Sequence, residues 1–162
     1  MQHLINEGAF IQDDPWRLFE SGDNQALPGH ALLPVSTWSN SGEELLGSSL
    51  SFGAVINENE SIEQLLPYLQ KIEVIAFKFG KFADGRAFSL ARILRDQFQF
   101  SGDIRAIGDF LPDQVNYMHR CGFTSFAART EMEAKTLLEI KDQFTSKYQS
   151  DSIDKEPLFR RR

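Results

Sequence analysis

The stretch Ile72–Phe98, "IEVIAFKFGKFADGRAFSLARILRDQF", decides the fold. Its first eight residues, Ile72 to Phe79, are almost continuously apolar and rich in strand formers, the pattern of a β-strand covered on both faces. Past the Asp84-Gly85 turn, Ala87, Leu90, Ala91, Leu94 and Phe98 fall on one side of a 3.6-residue helix. A buried strand followed by an amphipathic helix is the repeating unit of a parallel α/β sheet.

The unit recurs on both sides. Downstream, "GDIRAIGD" (Gly102–Asp109) predicts a strand, Pro112 suits the first turn of the next helix, and Gly122 ends that helix in a left-handed cap. "FTSFAA" predicts another strand. Thr130 and Glu133 then have capping-box spacing and open a helix with Ala134, Leu137, Leu138, Lys141, Phe144 and Tyr148 along one stripe. Upstream, "LSFGAVI" (Leu50–Ile56) is strand-like, and Ser61 with Gln64 caps "IEQLLPYLQ", which Pro67 should kink or shorten. Before that comes apolar "ALLPVS", then Ser41 and Glu44 at capping-box spacing, with Gly47 closing a short helix. "GAFIQDDPWRLF" predicts two short strands about the Asp13-Asp14-Pro15 turn, followed by a polar loop through Gly22 and Gly29.

The expected fold is therefore α/β, with about five βα units on a mostly parallel sheet, open and three-layered or a partial barrel, plus an N-terminal hairpin. A closed eight-strand barrel needs a longer chain than these 162 residues. Residues 1–150 are expected to form one domain, with the hairpin and loop in 1–30, and 151–162 to be a flexible tail.

Composition excludes several functions. A formal charge of -6 argues against binding to nucleic-acid backbones. No apolar run spans a bilayer and "MQHLINEGAF" is not a secretory signal, so a cytoplasmic location is expected. Cys121, the single cysteine, rules out an internal disulfide and multi-thiolate metal or iron-sulfur sites. His3, His30 and His119 lack metal-ligand spacing. With no GxGxxG after the first strand and no GxxxxGK[ST], neither a metal nor a cofactor is expected.

Ligands of parallel sheets bind where strand carboxyl ends meet helix amino ends. Lys78, Lys81, Asp84, Gly85 and Arg86 belong there, as do Asp109, Asp113 and Gln114, and Arg129 with Thr130. Arg86 at a helix start either pairs with Asp84 or Asp109 or sits beside an anion held by backbone N–H groups. Ser89 shares a helix face with Arg92, and Arg92 is four residues from Asp96, the spacing of a solvated ion pair. Arg105, mid-strand, calls for a carboxylate such as Asp103 or Asp109 in a structural bridge. Lys78 is either a desolvated base or Schiff-base nucleophile, or an ordinary snorkelling amine. Asp109 and Asp113 are either an acid/base pair or cap residues. Cys121, closing a helix, reads as a packed residue and His119 as partly buried. No catalytic triad emerges.

The segments DGRxxSxAxxLR, GxxRAxGDxLxDQ and RCGF, all between Asp84 and Phe126, resemble the DUF934 family of uncharacterised bacterial proteins. "DDPW" and "LPVSTW" match it more loosely, and the Arg-rich tail lies outside it. The motif positions are Asp84, Gly85, Arg86, Ser89, Arg92, Arg95, Arg105, Gly108, Asp109, Asp113, Gln114, Arg120, Cys121 and Gly122. Members are commonly encoded beside assimilatory sulfite reductase, and some bear the label of an oxidoreductase in sulfite reduction. The resemblance implies a place in sulfur assimilation, with sulfite reductase or a related sulfate-assimilation enzyme as partner. With one cysteine and no nucleotide fingerprint, the chain would need a bound flavin or other cofactor to carry electrons itself.

Three readings follow. One is an accessory protein of sulfite reduction. Another is a small α/β enzyme or sensor for an oxyanion or phosphorylated metabolite, with Asp84, Gly85, Arg86, Ser89, Asp109, Asp113, Gln114 and Arg129 as candidate site residues. The third is a scaffold that forms homo-oligomers through exposed aromatics including Trp16, Phe19 and Trp38, suggested by fourteen phenylalanines.

Overall fold

A computed structural model describes residues 3–6, 9–19, 29–80 and 85–142. Gly22, Lys81, Asp84, the side chain of Lys141, Phe144, Tyr148 and the expected tail lie outside the described residues.

The strands are β1 (Leu4–Asn6), β2 (Ala9–Ile11), β3 (Arg17–Leu18), β4 (Ala31–Pro34), β5 (Phe52–Ile56), β6 (Ile72–Phe79), β7 (Asp103–Gly108) and β8 (Ser125–Ala127). The helices are α1 (Val35–Gly47), α2 (Arg86–Asp96), α3 (Val115–Arg120) and α4 (Glu131–Asp142), with 3₁₀ turns at Ile62–Tyr68 and Pro112–Gln114. The described strands form one sheet in the order β2-β1-β8-β7-β6-β5-β4-β3. Pairing is parallel from β3 to β8 and antiparallel where β1 meets β8 and β2.

This order resolves the architecture. Each βα unit steps to the next neighbour in the same direction, so crossovers of one hand place every helix on one face. The main core accordingly joins Ile75, Phe77 and Phe79 of β6 to Trp38 and Leu45 of α1, Ala91 and Leu94 of α2, Met118 of α3, and Ala134 and Leu137 of α4. The other face carries a smaller cluster: Trp16, Leu32, Val55, Val74, Ala76 and Ile107. The result is a curled half-barrel with its helices outside.

The N-terminal segment enforces the curl. β2 and β3 lie at opposite margins of the sheet, seven strand spacings apart. At about 4.8 Å each, a flat sheet would separate them by about 34 Å. The six steps from Ile11 to Arg17 can span at most about 22 Å. Residues 12–16 therefore run as a strap across the concave face. Gly53 gives the strap room: an added Cβ would lie 2.5 Å from Leu32 Cδ2 and 3.1 Å from Trp16 Cζ3.

Several sequence expectations change here. The hairpin exists but pairs β1 with β2, Leu4 opposite Ile11; the Asp13-Asp14-Pro15 segment joins two sheet margins instead of turning between paired strands. α1 starts at Val35, not at the Ser41 capping box, because Val35, Trp38, Gly42 and Leu45 form a buried stripe that continues straight from β4. Pro67 leaves the Ile62–Tyr68 segment as 3₁₀ helix, with Ser61 Oγ accepting from Glu63 N at 3.2 Å. Phe98 lies beyond α2 and is exposed.

The three aromatics named for self-association are not exposed. Trp16 and Trp38 are buried, Phe19 is half-buried against the core, and Trp38 Nε1 donates to Gly53 O at 3.2 Å. Phenylalanines fill the core instead, in a run of ring contacts linking Phe77, Phe123, Phe79, Phe110 and Phe126.

Candidate functional site at the strand carboxyl ends

The parallel strands deliver Asn57–Glu60, Gly80, the start of α2, Asp109–Gln114 and Arg129–Glu133 to one rim. Gly85 precedes α2 without a side-chain cap, and the exposed Arg86 donates from Nη2 to Asn59 Oδ1 at 3.2 Å. Arg86 and Lys78 line a narrow cleft with Asn57, Glu58 and Leu90, a cavity of about 20 Å³, room for one water molecule. Asn57, Glu58 and Lys78 also border a wider hollow of about 270 Å³. Its carboxylates are turned onto the backbone: Glu58 Oε1 accepts from Gly80 N at 2.9 Å and Glu60 Oε2 from Asn57 N at 2.7 Å. Lys78 is exposed, so the burial that a base or Schiff-base role requires is missing.

Asp109 pairs with Arg129 at 2.7 Å, not with Arg86. Arg129 also reaches Glu133 at 3.0 Å, and Glu133 Oε2 accepts from Arg129 N at 2.8 Å. The capping box at the start of α4 thus forms with a changed partner. Glu133 N donates to Thr130 Oγ1 at 3.2 Å, while the Glu133 carboxylate returns to Arg129 N. The hydrogen bond with Arg129 holds the Glu133 carboxyl below its ordinary range, and the same bond raises Arg129.

The remaining candidates separate. Gln114 Oε1 accepts from Leu111 N at 3.0 Å and closes the turn before α3, while Asp113 is exposed in that turn. Ser89 is exposed on α2, and neither it nor Asp113 lines the two hollows. Arg92 and Asp96 form the expected surface pair at 3.2 Å. Cys121 is buried at the end of α3, and Gly122 follows with φ of 107°.

Arg105 is the structural bridge its position called for, with one partner the sequence did not reveal. Its guanidinium reaches Asp103 at 3.0 Å and, from the strap, Asp14 at 2.9 Å. Ser125 Oγ accepts from Arg105 Nε at 3.1 Å and donates to Asp103 at 2.7 Å, and Thr124 Oγ1 donates to Asp103 Oδ1 at 2.6 Å. Arg95 of α2 plays a comparable part where the chain enters β7 and β8, donating to Gly122 O at 3.0 Å, to Gly102 O at 2.8 Å and to Phe100 O. Among the described residues no group of three or more His, Cys, Asp or Glu side chains is placed to hold a metal ion. No helix among them is long and apolar enough to cross a membrane.

The motif residues on this scaffold are those of a recognised bacterial group. The family described as "Bacterial protein of unknown function (DUF934)" matches residues 53–159. The chain belongs to the DUF934 family. No curated protein matches it. In this DUF934 protein the matched region takes in β6, α2, β7 and α3, whereas the strap that supplies Asp14 lies before it.

Proposed function

We propose that this DUF934 protein is a cytoplasmic accessory factor of assimilatory sulfite reduction that works by docking on a partner, sulfite reductase or a related sulfate-assimilation enzyme. That setting is what the motif resemblance implies; the family's own description assigns no function. The observation carrying the docking mode is the charge state of the rim. Among its described residues the carboxylates Glu58, Glu60, Asp109, Asp113, Glu131 and Glu133 outnumber the cations Lys78, Arg86 and Arg129, and Arg129 is already held by two of those carboxylates. Such a rim suits a basic protein surface better than a small oxyanion. A tagged protein should retain the reductase from its own extract at low salt and release it as ionic strength rises. A deletion strain that reduces sulfite normally would overturn the reading.

A second reading, a small enzyme or sensor taking an oxyanion or phosphorylated metabolite, has one observation in its favour: Lys78 and Arg86 line the same cleft. It requires that sulfite, sulfate or phosphate raise the melting temperature of the wild type and not of Arg86→Ala. Equal shifts in both proteins remove it.

A further inference from the structure

The amino ends of the strands, opposite the rim, hold a second hollow that the proposed docking does not use. It measures about 450 Å³, within the range of small-molecule sites, and lies between the end of the Ile62–Tyr68 turn, the start of β6 and the loop entering β7. Leu69, Ile72, Phe98 and Phe100 supply its apolar wall, and Glu73 is the one ionisable group among the described residues that line it.

The surrounding contacts make this a built site. The loop is rigidly seated: Arg95 donates to the carbonyls of Phe100 and Gly102, and Phe100 N bonds back to Leu94 O at 3.0 Å. Gly102 fits flush on β6, since an added Cβ would lie 2.5 Å from Glu73 O and 2.5 Å from Phe100 Cζ. The neighbouring cations are turned elsewhere. Lys71 Nζ donates to Ser48 O at 2.7 Å, and Arg95 stacks over the Phe100 ring at 5.7 Å while serving the loop carbonyls. Glu73 Oε1 accepts a hydroxyl from Ser51 at 2.6 Å, which fixes the carboxylate's direction. Phe98, which lines the same hollow, is 39% exposed and so can be reached by a ligand.

A fixed carboxylate next to an exposed aromatic ring over an apolar floor is complementary to an organic cation with an apolar body. We propose that this hollow binds a small amine or guanidinium compound, its charge on Glu73 and its apolar part against Phe98 and Leu69. The site is independent of the rim and of any reductase.

Phenethylamine is a suitable probe, with phenylacetate as the same skeleton of opposite charge. In amide NMR titrations of the full chain, phenethylamine should give saturable shifts confined to residues 69–73 and 98–102, and phenylacetate none there. Glu73→Gln and Phe98→Ala alter exposed side chains, and each should weaken binding by about fivefold. Absence of saturation at millimolar phenethylamine, equal shifts with phenylacetate, or unchanged binding in both variants would overturn the proposal.

Discussion

Arg105 and Arg129 carry the same chemistry in opposite surroundings. Each guanidinium is held by two carboxylates and lies on or just after one of the two final parallel strands. Arg105 and Asp14 are 3% and 2% exposed; Arg129 and Asp109 are 56% and 57% exposed. Inside, water cannot compete for the charges, so the ion pair dictates where the strap must cross. At the rim, water competes for every charge and the pair fixes little. Burial, not the type of contact, decides which arginine belongs to the architecture and which is available for docking.

The largest expected effect tests the buried half of that comparison. Arg105→Ala takes the guanidinium away from both Asp14 and Asp103 and should cost about 3–5 kcal/mol in urea unfolding, whereas Asp14→Ala leaves Arg105 on Asp103 and should cost less. Replacing both, Asp14→Leu with Arg105→Met, should recover part of that loss, because apolar groups fill the space under the strap while Asp103 keeps its bonds from Ser125 and Thr124. Arg129→Ala should leave the urea unfolding midpoint close to that of the wild type, with any difference shrinking further at high salt. A loss as large as that of Arg105→Ala would break the comparison. The smallest effect concerns Glu133. Its carboxyl titrates below the ordinary range when folded, so it adds stability above the unfolded-state pKa and loses it as pH falls through the lower, folded value. The melting-temperature gap between wild type and Glu133→Gln should be present at neutral pH and close in acid; a gap that widened in acid would assign the wrong partner.

The parallel half of the sheet was legible in the sequence because its information is local. β6 is a continuous apolar run over the predicted residues, Gly122 takes the positive φ its place after a helix implied, and Arg105 found Asp103 two residues away. What escaped has long range. Asp14 meets Arg105 across 91 residues, and nothing in "DDPW" signals that its two flanks join opposite margins of one sheet. Periodicity also outranked capping chemistry at α1, where the Val35 stripe overrode the Ser41 box. Of the candidate site, the rim's membership was readable and its pairing was not: Asp109 is claimed by Arg129, whose approach depends on the neighbouring βα connection.

The placement of β1 has a consequence for biosynthesis. Leu4 pairs with Ala127, a separation of 127 − 4 = 123 residues. On the ribosome, β1 emerges long before β8 and has no seat on the sheet until the intervening residues have followed, so a segment made early docks late. Until then β8 presents a bare hydrogen-bonding edge, and a nascent chain is most exposed to pairing with its neighbours in that interval.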